Sequence, residues 1–125
     1  MNQVLGTGKY LFAIPFAVFG IIHFISADAM AGMAPFGGAI IIYITGLALL
    51  AASVSILIGK YDKLASTLLG VMLILFILLV HAKGMGSDDP MTSGAATSNI
   101  LKDLSLAGAA WLYARFLSKD NSVIG

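Results

Sequence analysis

The chain has 125 residues, a formal net charge of +1 and no cysteine. With 59% hydrophobic residues, 10% charged residues and a mean hydropathy of +0.98, it cannot cover a soluble core of this size with polar surface. The balance of charge excludes a clustered Lys/Arg footprint for nucleic acid, and the missing cysteines exclude disulfides, thiol nucleophiles and thiolate metal sites.

A spanning helix needs about 20 mostly apolar residues to cross a hydrocarbon core of about 30 Å. Four stretches meet that need and use most of the chain. The predicted fold is therefore all-α: one domain over 1–125, a polytopic antiparallel bundle of four transmembrane helices. The first helix is predicted over 9–27. It carries Pro15 at mid-membrane, where neighbouring helices tolerate the lost backbone donor, and Gly20 and His23 on one face. Lys9, the apolar run and Ser26-Ala27-Asp28-Ala29 look like a signal peptide. The run is too long for a usual signal core and holds a histidine, so cleavage is not expected. In the segment 28–38, Met30 and Met33 read as one interfacial apolar turn ended by Pro35.

The second helix is predicted over 38–58, with Thr45, Ala48, Ala52, Ser55 and Gly59 as its small, close-packing stripe. The third is predicted over 64–82, with Ser66 and Gly70 four apart and His81 closing it. Residues 83–98 read as a turn-rich loop because of Gly84, Gly86, Pro90 and Gly94. Thr97, Ser98 or Asn99 is then expected to cap the fourth helix, predicted over 99–117. Its packing stripe is Asn99, Asp103, Ala107, Ala110 and Ala114.

Short connections force the helices to alternate. The side holding the N-terminus, side A, then carries Lys9, Lys60, Lys63, Arg115 and Lys119, whereas side B carries only Lys83 and Lys102. This bias predicts side A as the cytoplasm. The expected location is a bacterial inner (cytoplasmic) membrane with both termini cytoplasmic and side B in the periplasm.

Ionisable groups inside spanning helices are costly and point to function by default. His23, His81, Lys102 and Asp103 all fall within about two helical turns of side B, and Tyr43 and Thr45 enter the second helix at a similar depth. Each has a structural reading. Asp103 near a helix start complements the dipole, Lys102 snorkels, His81 is ordinary interface polarity, and His23 bonds a backbone carbonyl. Together they make a candidate ligand site of His23, Tyr43, His81, Lys102 and Asp103. A buried Asp–His pair there can hold a proton, hydrogen-bond a quinone carbonyl or anchor a partner. No catalytic role is assigned. Bis-histidine haem ligation by His23 and His81 and Cu(I) binding by Met30, Met33, Met85 and Met91 use the same end of the molecule. Two histidines at such positions are a weak haem pattern and methionine is common filler, so neither haem nor copper nor another metal is expected.

Several stretches resemble the DoxX family of small four-helix bacterial membrane proteins. They are Phe19-Gly20-Ile21-Ile22-His23-Phe24, Met33-Ala34-Pro35, Tyr43-Ile44-Thr45-Gly46, Lys63-Leu64-Ala65, and the run from Asn99-Ile100-Leu101-Lys102-Asp103 through Ala110. Related sequences commonly carry a second glycine where this chain has Ala109. The resemblance covers roughly residues 9–116 and implies the four-helix fold. It also implies a redox association, since the family takes its name from a subunit of a thiosulfate:quinone oxidoreductase and other members belong to oxidative-stress complexes. It groups His23, His81, Lys102 and Asp103 and gives none of them a catalytic role. The leading expectation is a redox-associated membrane protein whose polar pocket takes a quinone or similar hydrophobic ligand. The alternative is a non-catalytic accessory subunit of a larger membrane complex, or a homo-oligomer. A small carrier is the third, and four short helices leave it little room for alternating access.

Overall fold

The computed structural model describes residues 2–33 and 37–120, and these are helical with no β-strand among them. Helix α1 spans Gly8–Ile25, α2 spans Ala39–Ile58, α3 spans Asp62–Phe76, and α4 spans Pro90–Leu112. Helix α3 continues through a π turn, Ile77–His81, into Ala82–Met85. Helix α4 continues through a second π turn, Tyr113–Leu117. Short helical turns lie at Asn2–Leu5 and Ala27–Met30, with a 3₁₀ turn at Ala31–Met33. Of the expected Met30–Pro35 turn, the Met33 side chain and Pro35 lie outside the described residues.

Three helical stretches are long and apolar enough to cross a membrane: Gln3–Ile25, Ala39–Ile58 and Asp62–Met85. The fourth does not reach that hydropathy, because Thr92, Ser93, Thr97, Ser98, Asn99, Lys102 and Asp103 dilute its side-B half.

The start of α4 corrects the sequence reading. Residues 83–98 are not a loop, and no cap forms at Thr97, Ser98 or Asn99. The helix begins at Pro90, capped by Asp89, whose Oδ1 accepts from the Met91 N–H at 3.3 Å and whose Oδ2 accepts from Thr92 Oγ1 at 2.7 Å. Proline at the first helical position loses nothing, since its N–H would be unpaired there anyway. These bonds hold the exposed Asp89 carboxyl below its ordinary pKa, the Thr92 hydroxyl first and the Met91 amide second.

Helices α1 and α2 cross where Gly20 meets Gly46. A Cβ on Gly20 would lie 2.8 Å from the Gly46 carbonyl oxygen, and one on Gly46 would lie 2.8 Å from His23 Cβ. Ser53 Oγ, fully buried, donates across the same interface to the Ala13 carbonyl at 2.8 Å. The face of α2 that packs is Ile42, Gly46, Leu49, Ala52, Ser53 and Ile56. The predicted stripe shares only Ala52 with it, and Ala48 is exposed. Ser66 and Gly70 of α3 are both buried, and Gly70 faces α4. A Cβ on Gly70 would collide with Trp111 Nε1, which donates to the Thr67 carbonyl. The stripe Asp103, Ala107, Ala110 and Ala114 is buried.

The molecule is two helical hairpins, α1/α2 and α3/α4, joined along α2 and α3. The core (Ala13, Phe16, Leu49, Ala52, Ile56, Leu69, Leu73, Ala107, Ala110 and Tyr113) fills the side-A half. Among the described residues, α1 and α4 barely touch, and α2 does not pack on the π turn of α3. The hairpins therefore diverge toward side B.

Candidate functional site

The divergence leaves a wedge-shaped cavity of about 430 Å³ between all four helices. Phe16, Phe19 and His23 line it from α1, Ile42, Thr45 and Leu49 from α2, Met72, Phe76, Val80 and His81 from α3 and its π turn, and Asn99, Lys102, Asp103 and Leu106 from α4. Its walls are mostly apolar, with polar groups confined to the side-B end. That combination is the usual build of a small-molecule site.

One polar group is a pair. His81 Nε2 lies 3.0 Å from Asp103 Oδ2, with the Asp103 side chain 5% exposed and the His81 side chain 18%. The carboxylate oxygen is buried and the approach is not aligned for a full hydrogen bond. Asp103 follows the true start of α4 by thirteen residues, about 20 Å along the axis. It therefore neither caps the helix nor complements its dipole, and the structural reading of Asp103 falls with the corrected helix start. His81 likewise does not end α3. It is the last residue of a π turn, after which the helix resumes. A π turn changes the direction in which side chains leave the helix, and such turns gather at functional sites.

The opposite wall carries His23. Its Nδ1 lies 2.6 Å from the Phe19 carbonyl oxygen. A carbonyl can only accept, so Nδ1 carries a proton, and Nε2 is the nitrogen left to accept when the ring holds one proton. Lys102 is exposed at the gap between α1 and α4, with Nζ 5.7 Å from the Phe19 ring centroid and 3.5 Å from Asn99 Oδ1. Thr45 Oγ1 donates to its own helix, to the Ile41 carbonyl. The site thus offers a carboxylate–imidazole pair, an acceptor on His23 and donors at Lys102 and Asn99. Tyr43 does not join them. It is 43% exposed on the outer side of α2, its ring tilted on Phe24 at 5.8 Å. Met30 lines the cavity, whereas Met85 and Met91 are exposed. Among the described residues, no three His, Asp or Glu side chains converge as metal ligands.

A second groove, about 530 Å³ and more open, adjoins the first at side B. Gly32, Lys83, Gly84, Met91 and Thr92 line it, and Val80, His81 and Asn99 belong to both. Its depth comes partly from the close seating of Gly84 on Ala96, where a Cβ would approach to 2.7 Å.

A further polar cluster escapes sequence reasoning, which leaves the side-A half inert below its basic surface. Asp62, fully buried at the start of α3, accepts from Tyr113 Oη at 2.8 Å and from the backbone N–H groups of Lys119 (2.9 Å to Oδ2) and Asp120 (2.8 Å to Oδ1). Tyr61, at φ 55, donates its N–H to Asp120 Oδ2 at 2.7 Å. This knot ties the segment after α4 to the α2–α3 turn and closes side A. Tyr61-Asp62 after Gly59 in a tight turn was the only local signal, and the partners lie more than fifty residues away.

No family model, characterised protein or solved structure matches the chain.

Proposed function

We propose that this is a DoxX-like four-span protein of the bacterial inner membrane that holds a quinone, or a similar hydrophobic ligand, in the side-B wedge. The His81–Asp103 pair on the wall of an apolar cavity carries the reading. An acid–base pair beside apolar walls suits a ligand that is lipid-soluble and exchanges protons. Its keto oxygen meets the donors at Lys102 and Asn99, and its hydroxyl, in the reduced form, meets the Nε2 lone pair of His23. The loose seam between α1 and α4 gives such a ligand a path from the bilayer. Electrons come from a partner.

A fourth crossing is favoured because α4 runs beside α3 from end to end. Gly84 sits on Ala96, His81 on Asp103, Thr67 on Trp111, and Asp62 on Tyr113. The basic residues of side A favour cytoplasmic termini.

The test is thermal unfolding of the purified protein in detergent with ubiquinone-1. The parent gains stability with ligand concentration, as any ligand bound only to the folded state requires. Asp103→Asn and His23→Ala lose at least ten-fold in apparent affinity. Equal protection of both variants and the parent refutes the reading.

An accessory or homo-oligomeric role has its own observation. The outward face of α4 presents Gly94, Ser98, Ser105 and Gly108, and nothing lies within 4 Å of a Cβ placed on either glycine. Small residues on a lipid-facing helix suit close approach of another helix. Cysteine placed at Ser105 cross-links to that partner in native membranes, and a strictly monomeric product counts against it.

A further inference from the structure

We infer that His81 is a proton relay, passing protons between water on side B and the Asp103 carboxyl inside the wedge. The inference rests on the pocket reading and gives that pocket its aqueous connection.

Its basis is the place of one ring. The apolar cavity and the open side-B groove meet at His81, with Val80 and Asn99 completing the shared wall. On the groove side are Lys83 and Thr92, near the side-B ends of the α3 and α4 helices. On the cavity side, Nε2 lies 3.0 Å from Asp103 Oδ2. The ring is 18% exposed and the carboxylate 5%, so water reaches the first more readily than the second. The π turn Ile77–His81 sets the direction of the ring without ending the helix. A passive polar filler needs no second opening and no departure from α geometry.

Imidazole suits the task because it can take a proton on one nitrogen as it releases one from the other. With Asp103 ionised, neutral His81 carries its proton on Nε2, facing the carboxylate. A hydronium on the groove side protonates Nδ1, the ring turns its Nε2–H onto the carboxylate 3.0 Å away, and Nε2 gives its proton to Asp103 Oδ2. Water, the Nδ1–H tautomer of His81 and a neutral Asp103 remain, with charge and atoms balanced. Release of the Asp103 proton to a ligand and re-exchange of the ring with water reset the pair. Among the described residues, the other charged or titratable groups facing this path are Lys102 on α4, His23 across the cavity and Lys83 on the groove. Helix α2 contributes only Ile41, Ile42, Thr45 and Leu49 to the cavity wall.

The test uses the full chain in vesicles with side B outward. Infrared spectroscopy follows the C=O stretch of the protonated Asp103 carboxyl after an external pH jump, and Asp103→Asn identifies the band by its loss. In the parent the band follows external pH. In His81→Phe the response slows at least ten-fold while the final protonation is reached. His81→Gln keeps an N–H donor beside Asp103 but cannot exchange protons at two nitrogens, and it slows as much. An unchanged rate in both variants, or a band that follows the internal pH, overturns the relay. Ubiquinone-1 protection is measured on the same preparations. Quinone binding with a His81-independent band sinks the relay alone. A His81-dependent band without quinone binding upholds the relay and sinks the ligand reading.

Discussion

Replacing Asp62 with alanine strips the acceptor from three donors at once: the Tyr113 hydroxyl and the N–H groups of Lys119 and Asp120. Hydrogen bonds to a charged acceptor contribute about 1.5–3 kcal/mol each. The two backbone donors lie in the partly exposed segment after α4 and regain water when released, so their loss costs far less than burial of an orphan would. Tyr113 is 4% exposed, and its hydroxyl keeps only a long 3.4 Å contact to the Ile56 carbonyl. The sum is about 2–4 kcal/mol of stability, with most of the effect local to side A. Two assays read it. Urea unfolding in detergent micelles gives the global loss. Trypsin cleavage after Lys119 gives the release of the segment, because a strap held by Asp62 resists the extended conformation that a protease requires. Asp62→Ala should cleave at least ten-fold faster, and Tyr113→Phe should lose about 1 kcal/mol with little change in cleavage. An Asp62→Ala protein as stable and as resistant to trypsin as the parent refutes the account of the knot.

Gly46→Ala forces a methyl against His23 Cβ and the Gly20 carbonyl, at 2.8 and 3.0 Å, and should cost about 1–3 kcal/mol in unfolding; under the proposed ligand reading, the displaced His23 also weakens protection by ubiquinone-1. Gly94→Ala, where a Cβ meets nothing, is the matched control and should not destabilise the protein. Asp89 has a depressed folded-state pKa, so its capping contribution is present above the ordinary carboxylate value and is lost as pH falls through the lower folded value. Protection of the first-turn amides of α4, taken as exchange relative to the intrinsic rate at each pH, should fall as pH drops through that window, and Asp89→Ala should show the low protection throughout.

The helices were legible where apolar runs are long. The start of α4 was not, because its first residues (Thr92, Ser93, Gly94, Thr97 and Ser98) read as a polar loop by composition. The sign of a helix was nonetheless present in Asp89-Pro90-Met91-Thr92, a capping acid before a proline at the first helical position. The error mattered, because a helix starting near Asn99 makes Asp103 a dipole partner, and one starting at Pro90 makes it a buried acid. The packing face of α2 was misread for another reason. That helix is apolar all round, so size alone had to choose the face, and size missed Leu49, Ser53 and Ile56. The closeness of His81 to Asp103 could be anticipated from their shared end of the bundle. The outward turn of Tyr43 could not, since neighbours in depth need not share a face. Asp62 was invisible because its partners come from the far end of the chain.

Each polar cluster borrows one residue from a π turn: His81 ends the first and Tyr113 begins the second. A π turn absorbs one more residue than the α repeat allows, so beyond the first of them the helix can still set Gly84 against Ala96. The helix and the site it serves are thereby separable. Deleting a single residue from either turn can restore an ordinary α ladder, with every backbone bond kept, while re-aiming the one side chain that matters. The aim of that side chain is a matter of count as much as of residue identity. A relative could keep every core residue and both glycines of the α1–α2 crossing and still lack the His81–Asp103 pair, through one missing residue between 77 and 81.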